Sequence, residues 1–355
     1  MRVHQLLTSL TYGDAISNEA LAIKKFLEDE GIESKIFGYY NHPKVTKYFN
    51  HYTSYLSESQ KDDILIFHFS IGSPVSKIYF QAPAKKIMIY HNITPYHFFK
   101  NYHRILAREC YKGRLELKKF VDKTDLGLGD SEYNRKELEN LGFKNTGVLP
   151  IVMDFTKFDR EGSVVIRKMF NDGKFNILFV GRVIPNKKID ELVRFFSVYQ
   201  KYFNPNSRLI IAGEYRGFER YLNDIYQTIS KYNLKDVVLT GHISFNDLVA
   251  FYKVANLYLS FSEHEGFGVP LLEAFYNKVP VIAYDMGAVK ETMNGGGIII
   301  KEKRFDKVAA LIETIRNNEE LKDSVLKSQE QALEKYSYEN VKNILLNHIK
   351  NLKDE

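Results

Sequence analysis

Residues 260–275 read SFSEHEGFGVPLLEAF. An apolar, strand-like run, Leu257–Ser260, leads into a loop of Ser, Glu and His, and a helical pattern follows Pro270. Gly266 and Gly268 let the backbone come close to a ligand. Pro270 suits the first helical position, where its missing N–H costs nothing. The N–H groups around residues 267–271 then form an anion site at a helix N-terminus. Glu265 precedes the turn and Glu273 follows it, in what reads as the first helical turn. Glu273 there is either a stabiliser of the helix dipole, worth about 0.5 kcal/mol, or a ligand group. Glu265 is badly placed to serve the dipole, and a carboxylate there suits vicinal hydroxyls, since it accepts two at once. The segment predicts a phosphate at the helix N-terminus with a hydroxyl-rich ring on each side.

Outward from this loop, short apolar runs alternate with helical patterns. The predicted strands are Val3–Leu7, Ile64–Phe69, Ile87–Tyr90, Leu126–Leu128 and Gly147–Leu149, then Asn176–Val180, Arg208–Ala212, Val237–Leu239, Leu257–Ser260, Val279–Ala283 and Gly297–Ile300. Ser17–Glu30 and Tyr96–Phe120 read as helices, and the tail from Leu321 as purely helical. Apolar strands alternating with helices predict parallel sheets covered on both faces. Two such series predict an α/β chain of two doubly wound, Rossmann-like domains. The polar stretch Phe155–Lys174 is the expected boundary. Ligands of such sheets bind beyond the strand carboxyl ends, and a cleft between two domains is the expected site.

Two further loops follow strands. In VGRVIPNKKIDEL, residues 180–192, Gly181 permits a turn, and Arg182 and Lys187 project before a helix. They either hold a diphosphate or belong to a solvated basic loop. In IAGEYRG, residues 211–217, Gly213 reads on its own as a turn glycine.

Composition narrows the partners. Lys and Arg number 50 against 44 Asp and Glu, a net charge of +6. That suits anionic small molecules or an anionic membrane surface, and without a long Lys/Arg block it argues against nucleic acid. Cys110 is the only cysteine, which excludes an internal disulfide and argues against a thiolate metal site. No apolar run reaches the roughly 18–20 residues that span a bilayer. The start reads as no secretory leader, so the expected location is cytoplasmic. One stretch, residues 98–120, mixes apolar and basic residues at helical spacing. Lys100, Arg104, Arg108, Lys112, Lys118 and Lys119, with Phe98 and Phe99 at the edge, either face anionic lipid as a peripheral contact or form a solvated helix face.

The second half closely resembles the retaining glycosyltransferases of family GT4, which have the GT-B fold. The marks are GRVIPNKK, the AGE turn, the Glu-x7-Glu segment EGFGVPLLE and VPVIAYDMGAVKE, over most of residues 175–345. YSYEN, residues 336–340, is similar to the family's segment before its last helix. In the first half, HQLLTSLTYGDAISNEA and IYHNITPYHFF resemble a subgroup of bacterial and archaeal surface-glycan enzymes. The resemblance implies an acceptor-binding domain of residues 1–160, joined by a crossing helix at about 338–355, and a nucleotide-sugar domain of residues 161–337, facing each other across a cleft. It implies transfer of a hexose from a nucleoside-diphosphate sugar to a saccharide or lipid-linked saccharide.

Roles carry over position by position. Arg182 and Lys187 would hold the donor diphosphate and meet its leaving charge. Glu273 would bind ribose. Glu265 would face the donor sugar, with Gly266, Phe267, Gly268 and Val269 along the donor and Gly213 nearby. Gly241 and His242 fall where the base binds. His91, at a strand end, would contact the sugar near the reacting carbon, or else is a structural histidine. Gly13, Asp14 and His68 are expected toward the acceptor, and Asp14 is equally read as a helix N-cap.

No Asp-x-Asp occurs, so no metal is expected: Arg182, Lys187 and the helix N-terminus would do its work, and no cofactor beyond the donor is expected. A Rossmann oxidoreductase is disfavoured, because no G-x-G-x-x-G follows a strand. The non-enzymatic rival is an inactive nucleotide-sugar-binding or scaffold protein of the same fold.

Overall fold

The computed structural model describes residues 2–11 and 13–354. Its contacts divide the chain into two units. The first takes residues up to His97, Ile105–Asp154 and the chain from Lys335 on; the second takes Phe98–Arg104 and Phe155–Glu334.

The first unit is built on seven parallel strands: β1 (Val3–Leu10), β2 (Ile36–Asn41), β3 (Phe49–His51), β4 (Ile64–Phe69), β5 (Lys85–Tyr90), β6 (Leu126–Gly129) and β7 (Thr146–Val148). Their order is β3-β2-β1-β4-β5-β6-β7. β4 is buried along its whole length, as expected where helices cover both faces of a parallel sheet. Val3, Ile66, Ile89 and Leu128 pack with Ile23, Phe26 and Leu27 of the Ala15–Asp29 helix and with Val341, Leu345 and Ile349 of the final helix, Tyr338–Asp354. The last helix therefore belongs to the first unit's core. Polar contacts fix it there: Lys342 Nζ lies 2.6 Å from Glu30, and Lys85 donates to the Leu352 carbonyl at 2.7 Å.

β2 and β3 are absent from the sequence reading. β2 is apolar and buried only over Ile36–Gly38 and exposed at Tyr39 and Tyr40, and β3 has three residues. A half-buried strand and a short edge strand carry little apolar periodicity. The Tyr96–Phe120 helix also needs correction. The helix is Arg104–Leu117, and Phe98–Arg104 packs within the second unit. Phe99 is buried against Phe218, with ring centroids 5.6 Å apart, and the Tyr102 hydroxyl donates to Asp224 at 3.1 Å. Phe99 is thus unavailable to lipid.

The second unit has six parallel strands: β8 (Phe175–Val180), β9 (Ser207–Ala212), β10 (Val237–Gly241), β11 (Leu257–Ser260), β12 (Val281–Tyr284) and β13 (Ile298–Ile300). Their order, β10-β9-β8-β11-β12-β13, reverses between β8 and β11. That reversal is the place where doubly wound sheets open a crevice at their carboxyl edge.

Candidate active site

Because β8 and β11 are neighbours, the Arg182/Lys187 loop and the Glu265 loop leave adjacent strand ends. Backbone crowds here. A Cβ at Gly213 would lie 1.9 Å from the Gly181 carbonyl oxygen, so only glycine fits between the ends of β8 and β9. Gly213 also bridges Gly241 at the end of β10. Both glycines expected along the donor therefore have a packing reason of their own. His242, just beyond Gly241, is exposed.

Pro185–Lys187 forms a single 3-10 turn, and Lys188 adopts a left-handed conformation (φ 53°) before the Ile189–Tyr202 helix. Lys187 Nζ donates to both carboxylate oxygens of Glu265, at 2.6 and 2.7 Å. The two side chains are 19% and 13% exposed, so the pair is assembled yet reachable. Arg182 is exposed on the same loop, its guanidinium 5.8 Å from the Phe218 ring centroid.

The Glu265 loop is clamped from two sides by residues the sequence reading missed. The buried Asn186 accepts the Glu263 N–H at 2.8 Å through its carbonyl and donates its side-chain amide to the His264 carbonyl at 3.3 Å. Opposite, the Ala288 N–H donates to the Glu265 carbonyl at 3.0 Å, and the Thr292 hydroxyl to the Phe267 carbonyl at 2.7 Å. A Cβ on Gly287 would lie 2.3 Å from that Glu265 carbonyl oxygen. Lys303 adds an outer tie, 2.7 Å from Glu191 and 2.9 Å from Glu263. Asn186 lies within GRVIPNKK, and Gly287 and Ala288 within VPVIAYDMGAVKE, whereas Thr292 and Lys303 fall outside both segments.

Past Gly266 and the buried Phe267, Gly268 takes φ 105° and caps the Val269–Tyr276 helix without a side-chain capping bond. Pro270 is thus the second helical residue, and Glu273 lies in the second turn. The dipole reading of Glu273 fails on that geometry, because the effect fades within the first turn. Glu273 is 7% exposed and accepts from the Tyr252 hydroxyl at 2.9 Å. Burial raises its pKa, with Lys157 and Tyr252 opposing the rise.

The first unit holds a second cluster, from four neighbouring strands and a helix. His68 is the last residue but one of β4, His91 follows β5, Asp130 follows β6, Gln5 lies on β1 and Glu19 on the Ala15–Asp29 helix. His68 Nδ1 and His91 Nε2 are 3.0 Å apart. His68 Nε2 is 2.9 Å from Gln5 Oε1, and His91 Nδ1 is 3.1 Å from Asp130 Oδ2. Glu19 is fully buried, its Oε2 3.6 Å from His91 and 3.8 Å from His68. Burial lowers the His68 pKa well below the ordinary imidazole value. Burial also opposes the charge on His91, but Asp130 and Glu19 outweigh it and raise His91 to about 9. Burial pushes Glu19 up to about 8 and raises Asp130.

This cluster corrects two expectations. His68 is 1% exposed with both ring nitrogens engaged inside the protein, so it does not meet an acceptor. His91 has a 3% exposed side chain, and its nitrogens face Asp130 and His68 rather than open space. Asp14 caps the first helix, accepting from the Ser17 N–H at 3.1 Å and the Ser17 hydroxyl at 3.0 Å. Gly13 beside it takes φ 85° with open space where a Cβ would stand. Glu19 did leave a trace in the sequence: it shares the apolar helix stripe of Ile23, Phe26 and Leu27.

Comparison with known proteins places these geometries. Residues 166–332, just under half of the chain, match the family described as Glycosyl transferases group 1. The capsular polysaccharide biosynthesis glycosyltransferase CapM of Staphylococcus aureus is 29% identical over 178 residues, 49% of this chain and 45% of CapM. The uncharacterized glycosyltransferase MJ1178 of Methanocaldococcus jannaschii is 26% identical over 240 residues, 66% of this chain and 62% of that protein. The chain therefore spans about half to three fifths of these relatives. In structure, Anabaena Alr3699/HepE, solved with UDP and glucose, superposes with a TM-score of 0.79 at 14% identity, over 99% of this chain and 100% of that one. The fold is GT-B: two Rossmann-like units with a C-terminal helix returning to the first.

Proposed function

We propose that the protein is a retaining glycosyltransferase that moves a hexose from a nucleoside-diphosphate sugar to a glycan or lipid-linked saccharide. The observation that carries this is the Lys187–Glu265 pair at 2.6 and 2.7 Å on adjacent strand ends, in a loop clamped from both sides. Such preorganisation is what charge stabilisation in a transfer reaction needs. Arg182 and Lys187 hold the diphosphate and meet the charge that builds as the C1–O bond to phosphate breaks. The Gly268 end of the Val269–Tyr276 helix adds its dipole, and no metal is needed on the diphosphate. Glu265 aligns the sugar hydroxyls, and Glu273, steadied by Tyr252, takes the ribose. The acceptor oxygen attacks C1 on the face the phosphate leaves, and its proton passes to that phosphate. Further support comes from the relative named for capsular polysaccharide biosynthesis and from the HepE complex with UDP-glucose, TM-score 0.77.

The test pairs binding with turnover. UDP-, GDP- and other nucleotide sugars are screened by thermal shift with and without EDTA, and the binder is assayed for transfer. One nucleotide diphosphate should raise the melting temperature in both buffers. Glu265→Ala should lower transfer by about 10²-fold or more and leave nucleotide affinity within a few-fold. No shift with any nucleotide would overturn the donor site, and full activity in Glu265→Ala would remove Glu265 from it. Binding without transfer to any acceptor would favour the scaffold alternative.

A further inference from the structure

Lys187 and Lys188 are consecutive, yet they serve different carboxylates. Lys187 holds Glu265. Lys188 stands at φ 53°, a left-handed conformation that glycine takes freely and a residue with a Cβ adopts at a cost. Backbone geometry alone would favour glycine there, so the lysine side chain must offset that cost. It does so through two carboxylates: Lys188 Nζ lies 2.9 Å from Glu191 Oε1 and 3.7 Å from Glu263 Oε2.

Lys303 completes the arrangement from the loop after β13. Its Nζ lies 2.7 Å from Glu191 Oε2 and 2.9 Å from Glu263 Oε1. It also lies 4.6 Å from the ring centroid of Tyr284, the last residue of β12. Each carboxylate thus gives one oxygen to each ammonium, and the four charges alternate around a closed, neutral ring. The ring spans the ends of β8, β11, β12 and β13, which are neighbours in the sheet. Lys303 is its most buried member, with a side chain 12% exposed. Burial would raise the Glu191 pKa, but Lys303 and Lys188 outweigh burial and hold it below the ordinary value.

Ion pairs of such partial exposure add little to stability. What they can fix is register, the choice of partner, and that choice matters here. Two adjacent lysines face two glutamates two residues apart. An exchanged pairing, Lys187 with Glu263, is therefore open to the same loops and would leave Glu265 without its cation. Lys303 closes that alternative, because it and Lys188 already engage both oxygens of Glu263. The main chain is held in the same sense, the Glu263 N–H donating to the Asn186 carbonyl at 2.8 Å.

We propose that Lys303 is a positioning residue for sugar transfer: by keeping Glu191 and Glu263 engaged with Lys188, it leaves Lys187 to Glu265 and holds that pair in place. The proposal rests on the donor-site reading above, in which Glu265 meets the sugar and Lys187 the diphosphate.

The test uses the full chain and the nucleotide sugar that the binding screen identifies. Lys303→Met keeps the stem and removes the charge. It should cut kcat at saturating donor by up to about 10²-fold, and Lys303→Arg should restore most of that loss. In a Glu265→Ala background, Lys303→Met should cost nothing further, because both changes act through one pair. Without any ligand, amide hydrogen exchange across residues 263–267 should quicken in Lys303→Met. Where Lys303→Met does not fold, Glu263→Gln opens the same ring and should show the same loss and the same non-additivity. Wild-type kcat in the variant, an equal further loss in both backgrounds, or unchanged exchange would overturn the proposal and leave the ring a structural one. A wild type that binds no nucleotide sugar, or transfers nothing, fails the donor-site reading itself and takes this proposal with it, so the two failures are told apart by the protein in which they occur.

Discussion

Single residues set the candidate site through close approach. Gly213 looked like an ordinary turn glycine, yet the 1.9 Å gap to the Gly181 carbonyl oxygen leaves no room for a methyl group. Gly213→Ala should destabilise the protein by about 1–3 kcal/mol, the usual cost of overpacking, read as a lower urea midpoint with unchanged slope. A second residue-scale prediction concerns pH. Asp63 accepts from Arg2 at 2.8 and 2.7 Å and from the Gln60 N–H at 2.7 Å. Burial alone would raise its pKa, but Arg2 and the Gln60 N–H outweigh burial and hold it below the ordinary value. A depressed carboxylate stabilises the fold above its unfolded pKa and loses that contribution as pH falls through the folded value. Wild type should therefore melt above Asp63→Asn near neutrality, and the gap should close as pH falls below about 4. A gap independent of pH would mean that Asp63 acts without its charge.

At the scale of elements, the Arg104–Leu117 helix shows what periodicity alone leaves open. Arg114 turns inward, its guanidinium on the Ile93 carbonyl and Glu137. The outer face shows Ile105, Tyr111 and Leu115, exposed by 72%, 51% and 45%, beside the exposed Arg108 and Lys112. Among the described residues no helix is long and apolar enough to cross a membrane. An interfacial face of this composition can still lie on anionic lipid. Sedimentation with anionic liposomes should carry the protein down at low salt, release it as salt rises, and fail for the Ile105→Glu/Leu115→Glu variant. No binding at low salt would return the helix to a solvated face.

At the scale of the molecule, the chain's end completes its beginning. Val341, Leu345, Ile349 and Leu352 are buried in the same core as Val3 and Ile66. At roughly 1.5–3 kcal/mol for each buried side chain, removing them costs roughly 6–12 kcal/mol, comparable with a domain's whole stability of about 5–15. Deleting residues 335–355 should abolish the cooperative unfolding transition of the first unit in calorimetry. A transition kept at the wild-type temperature would show that the helix only decorates the sheet.

The alternation of apolar strands with helices, and the loop from Glu265 to Glu273, were legible in the sequence because burial on both sheet faces and a glycine–proline helix start leave local marks. Two doubly wound sheets and the residues of the β8 and β11 loops follow from those marks. What brings Lys187 onto Glu265, Asn186 under His264, and Gln5, Glu19, His68, His91 and Asp130 into one cluster is strand order. β8 lies beside β11, and β1, β4, β5 and β6 lie side by side. Those neighbours are dozens of residues apart in the chain, so no local pattern encodes them. Only the packed sheet decides which strand ends meet and which carboxylates are buried.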